Sequence, residues 1–296
     1  MHARNQNWPR ILTLGAAAFL FAALISVGMA SELDFHPGFN LFSLPQDVEV
    51  GRENVAIVVK QVPVLLDDAV TRYINELGRR LDDFAPDNQR DYVWQFTVLN
   101  SGDVNAFALP GGYIFVNRAT IEAARNEAQL AGVLAHEEGH VVMRHGTHQL
   151  SETMLAEAPL ALLGSLVGQE DSFARKVVEY VGAGVLEGAL LKNSRSMETQ
   201  ADSVGAYILY QAGYDPHALP QFFEIIKQEY PADSYGPLGF LSDHPDPGNR
   251  IKAVDDEILE LGPTKAWITD APAFRDVKSH LLSLPPPPKP QREAMR

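Results

Sequence analysis

His136-Glu137-Glu138-Gly139-His140 is the segment whose residue types and spacing can do chemistry. On a helix, residues i and i+4 share one face about one turn apart, so both imidazoles can bind one metal ion. Glu137, beside them, can reach a water in the metal's open position. Zinc lowers the pKa of such a water towards neutrality. A carboxylate so placed takes the water's proton and passes it to a leaving amine. The chemistry expected is peptide-bond hydrolysis with one Zn2+ per chain and Glu137 as general base.

A catalytic zinc needs a third protein ligand. A histidine six residues after His140 would complete the extended metzincin pattern. That position is Gly146, which excludes the class. His145 and His148 fall at or past the end of the expected helix and read as favourable charge at a helix C-terminus. The better candidate is Glu198, in Ser194-Arg-Ser-Met-Glu-Thr-Gln-Ala-Asp202. Glu198 and Asp202 are again i and i+4, so one can ligate while the other hydrogen-bonds a ligand imidazole. Ala201 is small enough for two helices to approach closely. On residue types alone Glu198 still competes with Glu187 and Asp202.

These residues need elements to hold them. Thr120–Arg144 reads as one helix carrying both histidines, with Gly146 as its C-terminal cap. Ser196–Ala212, ending near Gly213, is the helix for Glu198. Asp47–Gln61 and a helix capped by Asp67 or Asp68 precede them. Tyr92–Leu99 reads as a strand. Asn105–Leu109 and Tyr113–Val116 read as two short strands around Pro110-Gly111-Gly112. Pro216–Glu229 and Asp246–Leu261, with Pro247 in its first turn, are two later helices. Residues 153–191 are rich in Ala, Leu, Val and Gly and are expected to form buried or lid-like helices. Peripheral membrane contact there is an expectation, although acids interrupt any long apolar span. Pro285–Pro288 begins a polyproline tail expected to be extended and solvated.

The 296 residues carry 24 Lys+Arg against 38 Asp+Glu, a net charge of −14, and no cysteine. Hydrophobic residues make up 46% and charged residues 21%, enough for a real core. The acidic balance argues against nucleic acid as a partner. The missing cysteine excludes disulfides, thiolate metal sites and a thiol nucleophile. Arg4 and Arg10 precede an apolar run from Ile11 to Val27, and Gly28 and Ala30 follow. That is a signal peptide over 1–30 with cleavage after Ala30, exporting the chain to the periplasm. Left uncut, it would anchor the protein in the membrane. Removing it takes away two arginines and no acid, so the mature charge becomes −16. The expected organisation is signal peptide 1–30, lead-in 31–45, catalytic domain 46–283 and Pro-rich tail 284–296.

H-E-x-G-H, the upstream Asn105–Val116 segment and the downstream S-R-x-x-E-x-x-A-D together resemble zinc metallopeptidase family 48, the gluzincins that include the HtpX/BepA-like peptidases. The resemblance covers roughly residues 45–260. It implies zinc on His136, His140 and Glu198, Glu137 as general base, and Asp202 behind the first imidazole. It also implies an α+β zincin-like fold, mostly helical with a small mixed β-sheet. The multiple membrane spans of some branches and the tetratricopeptide repeats of another are not found in this sequence, so recruitment by those parts does not carry over.

Extended substrates of such enzymes lie beside an edge strand, and Asn105, Ala106, Phe107 and Ala108 are the candidate groove. Ser242-Asp-His244-Pro-Asp-Pro247 precedes the last helix, and the family carries a similar His-Pro followed by an Arg, here Arg250. His244 would either donate to the oxyanion of the scissile carbonyl or occupy the fourth zinc position and hold the enzyme latent. Arg250 would pair with an acid near the site. The function expected is an envelope endopeptidase. Its partners would be unfolded or misassembled proteins and the envelope assembly machinery. The rival is a chaperone-like binding protein with a closed metal site.

Overall fold

The computed structural model describes residues 35–85, 92–157, 193–230, 244–245, 250–262 and 266–288. The signal segment, all of the expected lid region 153–191 beyond residue 157, and the end of the tail lie outside the described residues.

The chain begins with helix α1 (Leu44–Gln61), whose Ser43 and Gln46 form a capping box with Pro45 in the first turn. Helix α2 (Asp68–Asp82) follows, and the Asp67 carboxylate accepts from the backbone N–H groups of Ala69 and Val70. Val70, Ile74, Leu77 and Leu81 form its buried stripe, as the 3.6 period requires.

Three strands form one sheet of order β1-β3-β2. β1 (Gln95–Leu99) runs parallel to β3 (Tyr113–Asn117), and β2 (Ala106–Leu109) pairs with β3 antiparallel. The sheet is therefore mixed. β1 is shorter than the expected Tyr92–Leu99, because Trp94 turns into a positive φ of 43° just before it. Gly111 and Gly112, at φ 79° and 94°, make the turn between β2 and β3. A Cβ on Gly111 would lie 2.4 Å from the Cα of Val48 on α1. β1 is flanked by residues 63–65, where Leu65 N–H donates to Val98. That leaves β2 as the opposite edge. Every residue of β3 is buried. Ile114 and Val116 join the larger core with α2, and Tyr113 and Phe115 join a smaller one with α1, Leu150 and Met154.

The expected single helix over 120–144 is two pieces, and a third helix starts directly after it. Helix α3 (Arg118–Ala123) ends before Asn126, whose side chain accepts from Gln129 N–H and starts helix α4 (Glu127–Val142). α4 stops at Met143, and Arg144 takes a left-handed φ of 55°. Helix α5 (His145–Glu157) starts at once, so Gly146 lies inside a helix and caps nothing. The stop is made by side-chain contacts. Arg144 donates twice to Asp47, at 2.7 and 3.0 Å, and once to the Phe42 carbonyl. Asp47 also accepts from Tyr92 at 2.6 Å. These bonds hold a conformation that costs about 1–3 kcal/mol for a residue with a Cβ.

Helix α6 (Arg195–Ala212) ends at Gly213 with φ 82°, as its sequence requires. Helices α7 (Ala218–Glu229), α8 (Arg250–Leu261) and α9 (Pro272–Ser283) complete the described residues. α9 has no counterpart in the sequence reading. Pro285, Pro286 and Pro288 are exposed, as expected of the tail, and the run is held at its start. Buried Arg118 donates to the carbonyls of Leu281, Leu284 and Pro285, so the polyproline run begins docked.

Candidate metal centre

α4 and α6 cross where both lack side-chain bulk. A Cβ on Gly139 would lie 2.6 Å from the carbonyl oxygen of Ala201. This contact brings the Glu198/Asp202 face of α6 against the His136/His140 face of α4. The ε nitrogens of His136 and His140 are 3.1 Å apart. Each is 3.3 Å from one oxygen of Glu198. His244, reached by a separate segment, places Nδ1 3.2 Å from His136 Nε2 and 3.2 Å from Glu198 Oε1. All four side chains are buried, and their ligand atoms lie within 4.8 Å of one another. Among the described residues this is the one group of His and acid side chains so arranged.

Behind the ligands lie the acid and the arginine that the sequence suggested. Asp202 Oδ1 is 3.0 Å from His136 Nδ1, so that nitrogen carries the proton and Nε2 keeps a lone pair. Arg250 donates from Nε to Asp202 at 3.0 Å and from its terminal nitrogen to Glu198 at 2.9 Å. Its guanidinium sits 3.5 Å from the centroid of Phe223, which also packs edge-on to His136. Burial opposes charge on Glu198, but the imidazoles of His244, His140 and His136 outweigh it and hold the carboxyl well below its ordinary range. Burial likewise opposes protonation of His136, yet Asp202 and Glu198 raise its pKa above the usual imidazole value. At His140 burial wins and the pKa is lowered.

The donor set fits a divalent cation. Among the described residues, imidazole nitrogens and a carboxylate converge from separate elements, their ligand atoms within 4.8 Å of one another. Imidazole and carboxylate without thiolate is the ligand class of catalytic zinc.

Glu137 is buried beside the ligands, with its carboxylate 3.5 Å from His244 Nε2. It lines a cleft with His140 and His244 on one side and Phe107 and Ala108 of β2 on the other. Of the four candidate groove residues, Phe107 and Ala108 face this cleft. Asn105 and Ala106 are buried. Asn105 is tied by its backbone to the Thr120 hydroxyl, which fixes the start of β2. Ala106 offers its carbonyl to His244 Nε2 at 3.3 Å.

One correction concerns a histidine that the sequence read as bland, and a second finding concerns an acid to which it gave no role. His145 is not a charged group at a helix end. It is buried, 2.9 Å from His140 Nδ1, and burial pushes its pKa down to about 4. Its spacing, five residues past His140, could have drawn attention only with the bend at Arg144 known. Glu138, inside the motif, is fully buried and finds no hydrogen-bond partner among the described residues. Burial, with Asp82 nearby, pushes its pKa well up, which keeps it neutral.

The sequence profile of peptidase family M48 matches residues 68–258, more than half of the chain. The beta-barrel assembly-enhancing protease of Escherichia coli K12 is 30% identical over 259 residues, covering 85% of this chain and 51% of that protein. Its counterpart in Yersinia pestis is 31% identical, covering 75% of this chain and 46% of that protein. The mitochondrial metalloendopeptidase OMA1 of Schizosaccharomyces pombe is 29% identical, covering 64% and 53%. The chain thus spans about half the length of these relatives. No helix of the described residues is long and apolar enough to cross a membrane. The motif pair on α4 and α6, the buried ligand set and the extent of the profile match together place this chain in peptidase family M48.

Proposed function

We propose that this chain is a zinc endopeptidase of the cell envelope that cleaves unfolded or misassembled envelope proteins. The observation that carries the reading is the convergence of buried His136, His140 and Glu198 with Glu137 at the edge of a cleft. A zinc ion held by those three residues would supply Lewis acidity, lowering the pKa of the attacking water and polarising the scissile carbonyl. Glu137 takes the proton of that water and delivers it to the leaving nitrogen. Asp202 fixes His136, and Arg250 holds Glu198 and Asp202 together. β2 offers an edge against which an extended peptide can pair, with Phe107 and Ala108 facing its side chains.

The second part of the proposal concerns His244. Ala106 O accepts only, so His244 Nε2 is the protonated nitrogen and Nδ1 turns a lone pair to the other ligands. A donor to an oxyanion would need its N–H on that side. The arrangement supports a latent state in which His244 is the fourth ligand. It also occupies the Ala106 carbonyl on the substrate edge. Activation then requires His244 to leave.

The substrate class rests on the name of the bacterial relatives, which ties those proteins to β-barrel assembly. Export rests on the Arg-flanked apolar segment ahead of Ala30. The test pairs metal analysis with Glu137→Gln. Wild-type protein should hold one zinc per chain and cleave an unfolded protein, and the variant should keep zinc but lose roughly 10²–10⁴ in rate. A variant that loses cleavage yet still supports envelope integrity would favour the chaperone-like reading. An unimpaired variant would remove Glu137 as base.

A further inference from the structure

His145 stands outside every role so far, yet it touches a proposed metal ligand directly. Its Nδ1 lies 2.9 Å from His140 Nδ1, and its Nε2 lies 2.9 Å from Gln200 Oε1 on α6. An amide oxygen only accepts, so His145 Nε2 carries the proton and Nδ1 is an acceptor. His140 Nδ1 must then be the donor, which leaves the lone pair of His140 on Nε2. That is the nitrogen facing Glu198 and His136. The opposite tautomer would put a proton between His140 and the other ligands and close the position.

The backbone is bent to make this contact. Five residues along an uninterrupted helix would carry His145 about 140° round from His140, facing elsewhere. The left-handed Arg144, clamped by Asp47 and Phe42, ends α4 and turns the first residue of α5 back onto the second histidine. Gln200 comes from the same helix as Glu198 and Asp202, two residues before the latter. The centre is then symmetric in function: each motif imidazole has its rear nitrogen held, His136 by a carboxylate and His140 by an imidazole.

We infer that His145, oriented by Gln200, is a positioning residue that fixes the tautomer and direction of His140 for metal binding. The inference rests on the zinc reading above. An outer partner of this kind is worth about 10–100-fold in metal affinity.

The test uses the full chain and competition with a chromophoric zinc chelator. His145→Leu should weaken zinc binding by about 10–100-fold. His145→Asn places an amide oxygen near the position of Nδ1 and should restore most of the loss. Gln200→Leu, altering only the outer partner, should weaken binding by a smaller factor, and Gln200→Glu should not. In metal-free protein, imidazole ¹⁵N shifts should report protonated Nδ1 on His140 in wild type and a mixture in His145→Leu. Wild-type zinc affinity in His145→Leu would overturn the inference while leaving the zinc reading intact. Equal losses in His145→Leu and His145→Asn, with the His140 tautomer unmoved, would reduce His145 to packing. Failure of wild type to bind zinc at all would remove the zinc reading itself and this inference with it.

Discussion

Three of the converging side chains ride on long buried helices, and the fourth rides on a short segment facing an edge strand. His136, His140 and Glu198 are fixed twice over, by the Gly139–Ala201 crossing and by Asp202, His145 and Arg250 behind them. Among the described residues, His244 meets on its far side the Ala106 carbonyl at 3.3 Å and the Glu137 carboxylate at 3.5 Å. In the proposed function the helical wall is the fixed side of the site and His244 the side that exchanges. On that proposal a peptide pairing with β2 would compete for the Ala106 carbonyl, so substrate binding and His244 release would draw on the same acceptor.

The difference can be attacked from either wall. Gly139→Ala strikes the helical one, since its methyl would meet the Ala201 backbone, which cannot move as a side chain tip would. Denaturant unfolding should show a loss of about 1–3 kcal/mol, with weaker zinc binding alongside. Unchanged stability would mean the crossing is slack. Arg250→Met removes the peg joining Glu198 to Asp202 while keeping apolar cover over Phe223. Chelator competition should find zinc held about 10–100-fold more weakly.

His244→Ala strikes the other wall. It should leave zinc at one per chain and raise basal cleavage several-fold, in proportion to how little active form the wild type populates. A fall of about 10²-fold in rate would instead make His244 a transition-state donor. Asp67→Ala is the remote control, smallest in effect. It should cost about 1 kcal/mol at neutral pH through the lost helix cap, with zinc affinity unchanged. Backbone donation from Val70, then the bond to His280, holds the Asp67 pKa below its ordinary 3.8. The folded state thus binds fewer protons than the unfolded one. The stabilisation is complete above pH 3.8 and is lost as pH falls through the folded value, so wild type and variant should converge in acid.

The helical wall was legible because its information is local. Two i, i+4 pairs announce which residues share a helix face, whatever those faces later meet. Ala201 even hinted at the close crossing. His145 was not legible, because its role depends on Arg144 leaving the helical region. Arginine carries no sequence mark for that, and the reason lies 97 residues away at Asp47. α9 was missed for a related cause: its buried residues are Phe274 and Leu281, too few to draw a stripe. β1 was overextended because Tyr92 and Trp94 look like strand residues. In the structure one is a hydrogen-bond donor to Asp47 and the other a turn.

The anchoring of Arg118 bears on the order in which the molecule can be made. This guanidinium is buried beside the strand that frames the cleft, and the three carbonyls it donates to arise 163 to 167 residues later. Until those residues have been synthesised, a nascent chain folding from its start offers this cation the Glu122 carboxylate, four residues on, but not the three carbonyls. Its remaining nitrogens find those acceptors when the late segment docks, which couples the end of β3 to the arrival of residues 281–285.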